Sequence, residues 1–130
     1  MATTQSAARP DFAAHDRAYR LPIDRVVTEL RDVLGAKLIA YIAGVTETRA
    51  VREWADAVRT PRSPVPERLR LALQVVEMLR QRESTAVVAA WVQGLNPRLD
   101  DRSPARLLRE GDLEEVGPKV LAAARAFAAG

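Results

Sequence analysis

Apolar positions recur with helical spacing from residue 22 onward. Ile23, Val26, Val27, Leu30, Val33 and Leu34 fall at i, i+3, i+4, i+7, i+10 and i+11, which lines one face of a helix. Asp24, Arg25, Thr28, Glu29, Arg31 and Asp32 take the other face. Pro22 stands at the start, where its missing N–H costs nothing, and Gly35 at the stop. A shorter helix is predicted over 36–43, ended by Gly44. A third is predicted from about Thr48 to Arg59, with the hydroxyl of Thr46 or Thr48 as its cap.

Residues 60–66, TPRSPVP, hold three prolines and cannot be helical throughout, so they read as a stiff linker between two halves. Beyond them comes the strongest helical pattern, residues 67–82. Leu69, Leu73, Val76 and Leu79 form one stripe and Leu71, Val75 and Met78 another, leaving only Arg70, Gln74, Glu77 and Gln81 as a polar stripe. Such a helix needs cover on two sides, from its own domain and from a partner copy. Leu69, Leu71, Val75 and Met78 are the expected homodimer contacts. Ser84 caps a helix carrying Val87, Val88, Trp91 and Val92 that Gly94 closes, and Ser103-Pro104 opens a short helix that Gly111 ends. The last helix, with Val120, Leu121, Ala124 and Phe127, is expected to begin at Pro118. Nothing alternates with period two for more than a few residues. The chain reads as all-α.

Residues 1–21 lack this periodicity and read as a flexible N-terminal arm, with a helical turn near Phe12 to Tyr19. The predicted organisation is therefore an arm (1–21), a helix-turn-helix region (22–59), a Pro-rich linker (60–66) and a helical domain (67–130).

At 130 residues with 48% hydrophobic and only 5% aromatic content, the core must be built from Leu, Val, Ile and Ala. The absence of cysteine excludes disulfides, thiolate metal sites and a cysteine nucleophile, and fits a reducing cytoplasm. There is no apolar run near 18 residues and no signal-peptide pattern, so neither membrane nor export is expected. A net charge of +3 is small, so any nucleic-acid surface must be a local one. His15 stands alone in a polar stretch and is read as solvated. No phosphate loop exists, and no cluster has metal-ligand spacing. The carboxylates of Asp100-Asp101 and of Glu110, Asp112, Glu114 and Glu115 suit loop solvation and the start of a following helix. No enzyme, metal or cofactor is expected.

The stretch YIAGVTETRAVREWADAV, residues 41–58, is the candidate site. Ala40 and Gly44 supply the small residue and the turn four positions later that a helix-turn-helix needs, with Val45 as a core plug. Val51, Trp54, Ala55 and Val58 would then pack inward. Arg49, Arg52, Glu53, Asp56 and Arg59 would face out, where arginine can reach guanine edges and phosphates. Lys37, Thr46 and Thr48 would hold the DNA backbone at the edges. The same residues also suit a plain helical corner, because Arg49 with Glu53 and Arg52 with Asp56 are ordinary i,i+4 pairs.

Further along, Trp91, Asn96-Pro97, Leu99, Arg102-Ser103-Pro104, Leu107-Leu108 and Gly111 precede the ending VLAAARAF. In that order and spacing they resemble the toxin-binding region of the Xre/MbcA/ParS-like antitoxins. IAGVTETRAVREWADA is similar to the helix-turn-helix that precedes this region in the same family. The resemblance spans roughly residues 23–127, and residues 1–21 have no counterpart in it.

The resemblance implies a cytoplasmic antitoxin that dimerises, binds operator DNA through its first half and neutralises a toxin through its second. In this family the toxin is usually a RES-domain enzyme that destroys NAD⁺, and the antitoxin's C-terminal segment lies against the toxin's active-site cleft. Here that segment is Arg125, Phe127 and the tail to Gly130. The candidate toxin-binding set is Asn96, Arg102, Arg109, Arg125 and Phe127. The motif residues also have structural readings. Pro97 biases Asn96 towards an extended conformation, Leu99 and Trp91 can close the loop onto the core, and Arg102 can bond loop carbonyls or Asp100. Phe127 can fold back on Leu121 and Trp91. The competing functions are a stand-alone or phage-type helix-turn-helix regulator without a toxin, and a scaffolding helical dimer.

Overall fold

The computed structural model describes residues 10–130. Eight α-helices succeed one another there: α1 (Pro10–Arg20), α2 (Ile23–Leu34), α3 (Ala36–Ala43), α4 (Thr48–Ala55), α5 (Val65–Arg80), α6 (Thr85–Gln93), α7 (Pro104–Glu110) and α8 (Leu113–Ala129). A single 3-10 turn at Pro97–Leu99 separates α6 from α7. Among the described residues there is no strand, only an isolated bridge between Asn96 and Arg102. The all-α expectation holds.

Helix α5 is the spine. It packs against α1, α2, α3, α6, α7 and α8, so its apolar stripes are covered from within the chain. Leu69, Leu71, Val75 and Met78 are all buried. The four expected homodimer contacts are thus covered within the single chain, by helices among which α1, α2 and α8 pack most extensively on α5. One continuous core joins Leu30 of α2, Ile39 and Ile42 of α3, Val51 of α4, Leu69 and Leu73 of α5, Val88 of α6, Leu108 of α7 and Val120 of α8. Residues on the two sides of the proline-rich stretch therefore share a core, and α5 itself already begins at Val65 within it.

Within the expected arm, the helical turn foreseen near Phe12 to Tyr19 is present as a full helix. Residues 1–9 lie outside the described part, but 10–20 form α1, which buries Ala14 and Ala18 against the core. The small alanines let α1 approach α5 closely. Its seat is the polar stripe of α5. Arg70 donates to the carbonyls of Ala18 (2.9 Å) and Leu21 (2.7 Å), satisfying acceptors that the end of α1 leaves open. Glu77 accepts from Arg17 at 2.9 Å, and Arg17 also bridges to Glu29 of α2 at 2.7 Å.

Helix boundaries follow local chemistry. Ser84 and Ser103 each accept from the amide three residues on, Val87 at 3.3 Å and Arg106 at 3.0 Å. Helix α8 starts five residues earlier than its proline suggested. Asp112 caps it by accepting from the Glu114 amide at 3.1 Å, and Glu114 and Glu115 fill its first turn. Pro118 sits inside, one turn along, preceded by Gly117, whose missing side chain relieves the usual clash with the proline ring. At Gly111 a Cβ would stand 2.6 Å from Val116 Cγ1 and 2.8 Å from the Leu107 carbonyl oxygen, so this turn between α7 and α8 has no room for a side chain.

Candidate functional site

The α3–turn–α4 corner is formed around Gly44. With φ at +87° it adopts the left-handed conformation that side chains resist, and its amide closes onto the carbonyls of Ala40 and Tyr41. Val45 adds a bond to Ala40 at 3.0 Å and packs, half-buried, against the core. Ala40 is buried where the helices meet, and Val51 and Trp54 point inward as the spacing implied. Two features differ. Helix α4 ends at Ala55 rather than near Arg59, because Ala57 turns to a φ of +58°, and Val58 is left 75% exposed instead of buried. The N-cap is Glu47, with no side-chain capping bond, so neither threonine acts as the cap.

The carbonyl end of α3 is clamped by two arginines from the later half of the chain. Arg68 of α5 donates to Ala43 O at 2.8 Å. Arg109 of α7 donates to Tyr41 O at 2.7 Å, with its guanidinium 4.7 Å from the centre of the Tyr41 ring. Cations are favourable at a helix C-terminus, where the carbonyls lack partners. A Cβ at position 44 would come within 3.0 Å of the Arg68 guanidinium, so the glycine serves the approach as well as the turn. These clamps orient the corner relative to the core. An arginine on an otherwise apolar stripe was the only sign of Arg68 in the sequence.

The corner faces an open hollow of about 720 Å³ lined by Lys37, Tyr41, Thr46, Glu47, Thr48, Arg49 and Arg109. An adjoining hollow of about 300 Å³ takes in Thr46, Arg49, Glu53 and Arg59. Six of the seven candidate DNA-contacting residues are thus brought together, and Arg52 projects from α4 beside them, exposed. Glu53 accepts from both Arg49 and Arg59 at 3.2 Å. Those bonds, from Arg59 first and Arg49 next, hold its carboxyl below the ordinary glutamate range. Arg52 has no ion-pair partner among the described residues; the anticipated pair with Asp56 does not form.

A second groove, about 690 Å³, lies between the loop after α6 and the end of α8. Trp91, Leu95, Asn96, Pro97, Arg98, Ala123, Ala126 and Phe127 line it. The Trp91 and Phe127 rings are 5.9 Å apart and tilted by 36°. Phe127 stays 38% exposed and Leu95 is 77% exposed, so the groove carries exposed apolar side chains at its edge. The loop is held in shape by Asn96, whose Oδ1 accepts from the Arg98 amide at 2.9 Å and whose carbonyl accepts from Leu99 and Asp101, each at 2.9 Å. Asn96 is therefore largely occupied in shaping the turn.

Of the five candidate toxin-binding residues, only Asn96 and Phe127 line this groove. Arg102 bonds the Leu99 carbonyl at 3.4 Å and lies 3.6 Å from Asp100, on the far side of the same loop. Arg125 is exposed on α8 outside the groove lining. Arg109 is absent from the groove and lines the hollow beside α3 instead. Leu95 and Arg98 line the groove but were not singled out from the sequence; an exposed leucine between Gly94 and Asn96 was their available sign.

Among the described residues no three His, Cys, Asp or Glu side chains could hold a metal ion, and no helix is long and apolar enough to cross a membrane. His15 is exposed and stacks on Tyr19 at 4.5 Å between ring centroids.

No protein-family model and no curated protein matches the chain. Among solved structures, a chain of the crystal structure of the M. tuberculosis MbcT–MbcA toxin–antitoxin complex matches with a TM-score of 0.63 at 22% identity. The two chains share a fold. The match takes in 82% of this chain and 96% of the other, so nearly the whole of that partner-bound protein is represented here.

Proposed function

We propose that this protein is a non-enzymatic antitoxin, cytoplasmic and cofactor-free, that neutralises a cognate RES-domain toxin by direct binding and represses its own operon through α3 and α4. The observation that carries the reading is the fold shared with a chain from a toxin–antitoxin complex over 96% of that chain's length. The Trp91–Leu95–Phe127 groove supports it, since exposed aromatic and aliphatic side chains around a concavity suit a protein partner. Co-expression with the reading frame adjacent to its own tests the claim. Restored growth and co-purification of the two products are expected; a neighbour that is toxic and remains unbound and unneutralised contradicts it.

The DNA component rests on the hollow beside α4, where Lys37, Thr46, Thr48, Arg49 and Arg59 gather and Arg52 projects without an acidic partner. Two copies on two half-sites would be needed, joined through a face other than Leu69, Leu71, Val75 and Met78. Arg52→Ala is expected to weaken binding to the upstream DNA by about 1–3 kcal/mol with helicity unchanged. Equal wild-type affinity for that DNA and for random duplex contradicts a specific reader.

A further inference from the structure

We propose that Arg109, which lies outside the helix-turn-helix, is a DNA-backbone contact: a guanidinium from α7 held in place on Tyr41 to receive a phosphate at the edge of the α3–α4 hollow. The inference rests on the DNA reading above and adds a residue to it. Arg109 makes two contacts with α3, a hydrogen bond to Tyr41 O at 2.7 Å and a cation–π contact at 4.7 Å from the ring centre. That bond uses one of the five donors of a guanidinium. Its neighbours in the motif are neutralised, Arg106 by Glu110 at 3.1 Å and Arg102 by Asp100 at 3.6 Å. Arg109 has no carboxylate partner among the described residues.

A fixed and uncompensated cation is suited to an anion, because little side-chain freedom remains to be lost on binding. The surroundings point the same way. Lys37 lies one turn before Tyr41 on α3, and Thr48, Thr46 and Arg49 close the other side of the same hollow. The hollow is lined by three hydroxyl side chains, Tyr41, Thr46 and Thr48, three cations and a single carboxylate, Glu47. Phosphodiester oxygens accept charge-assisted hydrogen bonds from such a set, and contacts of this kind fix the register of a reading helix without carrying sequence information.

The test compares salt dependence on two duplexes, the chain's own upstream DNA and a random sequence of equal length. Arg109→Gln keeps an N–H for the Tyr41 carbonyl but removes the charge. It is expected to weaken both duplexes by the same factor and to reduce the slope of log K against log salt by about 0.9, the value for one phosphate. Arg109→Lys, which keeps the charge, is expected to keep the wild-type slope. Arg52→Ala, in contrast, is expected to lose the preference for upstream DNA. An unchanged slope in Arg109→Gln, or a reduced slope in Arg109→Lys, overturns the assignment while leaving the DNA reading intact. A wild-type protein that shifts neither duplex overturns both.

Discussion

Arg70, in the middle of the central helix α5, donates to the carbonyl of Ala18 at 2.9 Å across 52 residues of sequence. With the companion bond to Leu21 it fastens the end of α1 onto α5. Arg70→Ala is expected to lower stability by about 1–2 kcal/mol, since charged hydrogen bonds to part-buried carbonyls are lost. Removal of residues 1–21 should cost more and increase binding of a hydrophobic dye, by uncovering α5. Thermal melts of the three proteins check this; identical melting temperatures would mean that α1 contributes no cover.

The Arg17 cluster gives a pH dependence of known sign. Hydrogen bonding from Arg17 holds the Glu29 carboxyl below its ordinary value of 4.5, against the opposing effect of partial burial. A depressed folded pKa contributes stability that is complete above the unfolded value and is lost as pH falls through the folded one. Arg17→Met is therefore expected to be less stable than wild type at neutral pH, by about 1 kcal/mol or less given its exposure. The difference should shrink below about pH 4.5. Denaturant titrations at neutral and acid pH measure it, and a difference constant with pH would exclude the pair as its source.

Gly111→Ala tests the turn between α7 and α8. Its Cβ would meet both a valine methyl and a backbone carbonyl inside contact distance. A loss of about 1–3 kcal/mol is expected from the forced shift. A variant that melts with wild type would show that the turn can open.

Much of this fold was legible. Gly35, Gly44, Ser84, Ser103 and Gly111 marked helix ends because each boundary is set within a few residues. What escaped was set at long range. The stripe of Arg70, Gln74 and Glu77 was visible only as polar; Arg70 and Glu77 in it hold α1, and Gln74 between them is buried. The sequence suggested only a helical turn near Phe12 to Tyr19, since the side chains that α1 buries are small, Ala14 and Ala18. The corner at Gly44 was legible for the same local reason, whereas the gathering of Arg68 and Arg109 on α3 depends on how α5 and α7 pack. The separation of Asn96 and Phe127 from Arg109 has the same origin.

The groove between Trp91 and Phe127 is the surface we propose for toxin binding, and Leu95→Asp is its sharpest probe. Leu95 is 77% exposed, so the charge is expected to change stability by no more than about 0.5 kcal/mol. The measurement is protection of cells co-expressing this chain with the neighbouring toxin, read alongside the thermal melt. The account predicts a wild-type melt with protection abolished for Leu95→Asp, and weakened protection for Phe127→Ala. Full protection by both variants at wild-type stability would contradict it.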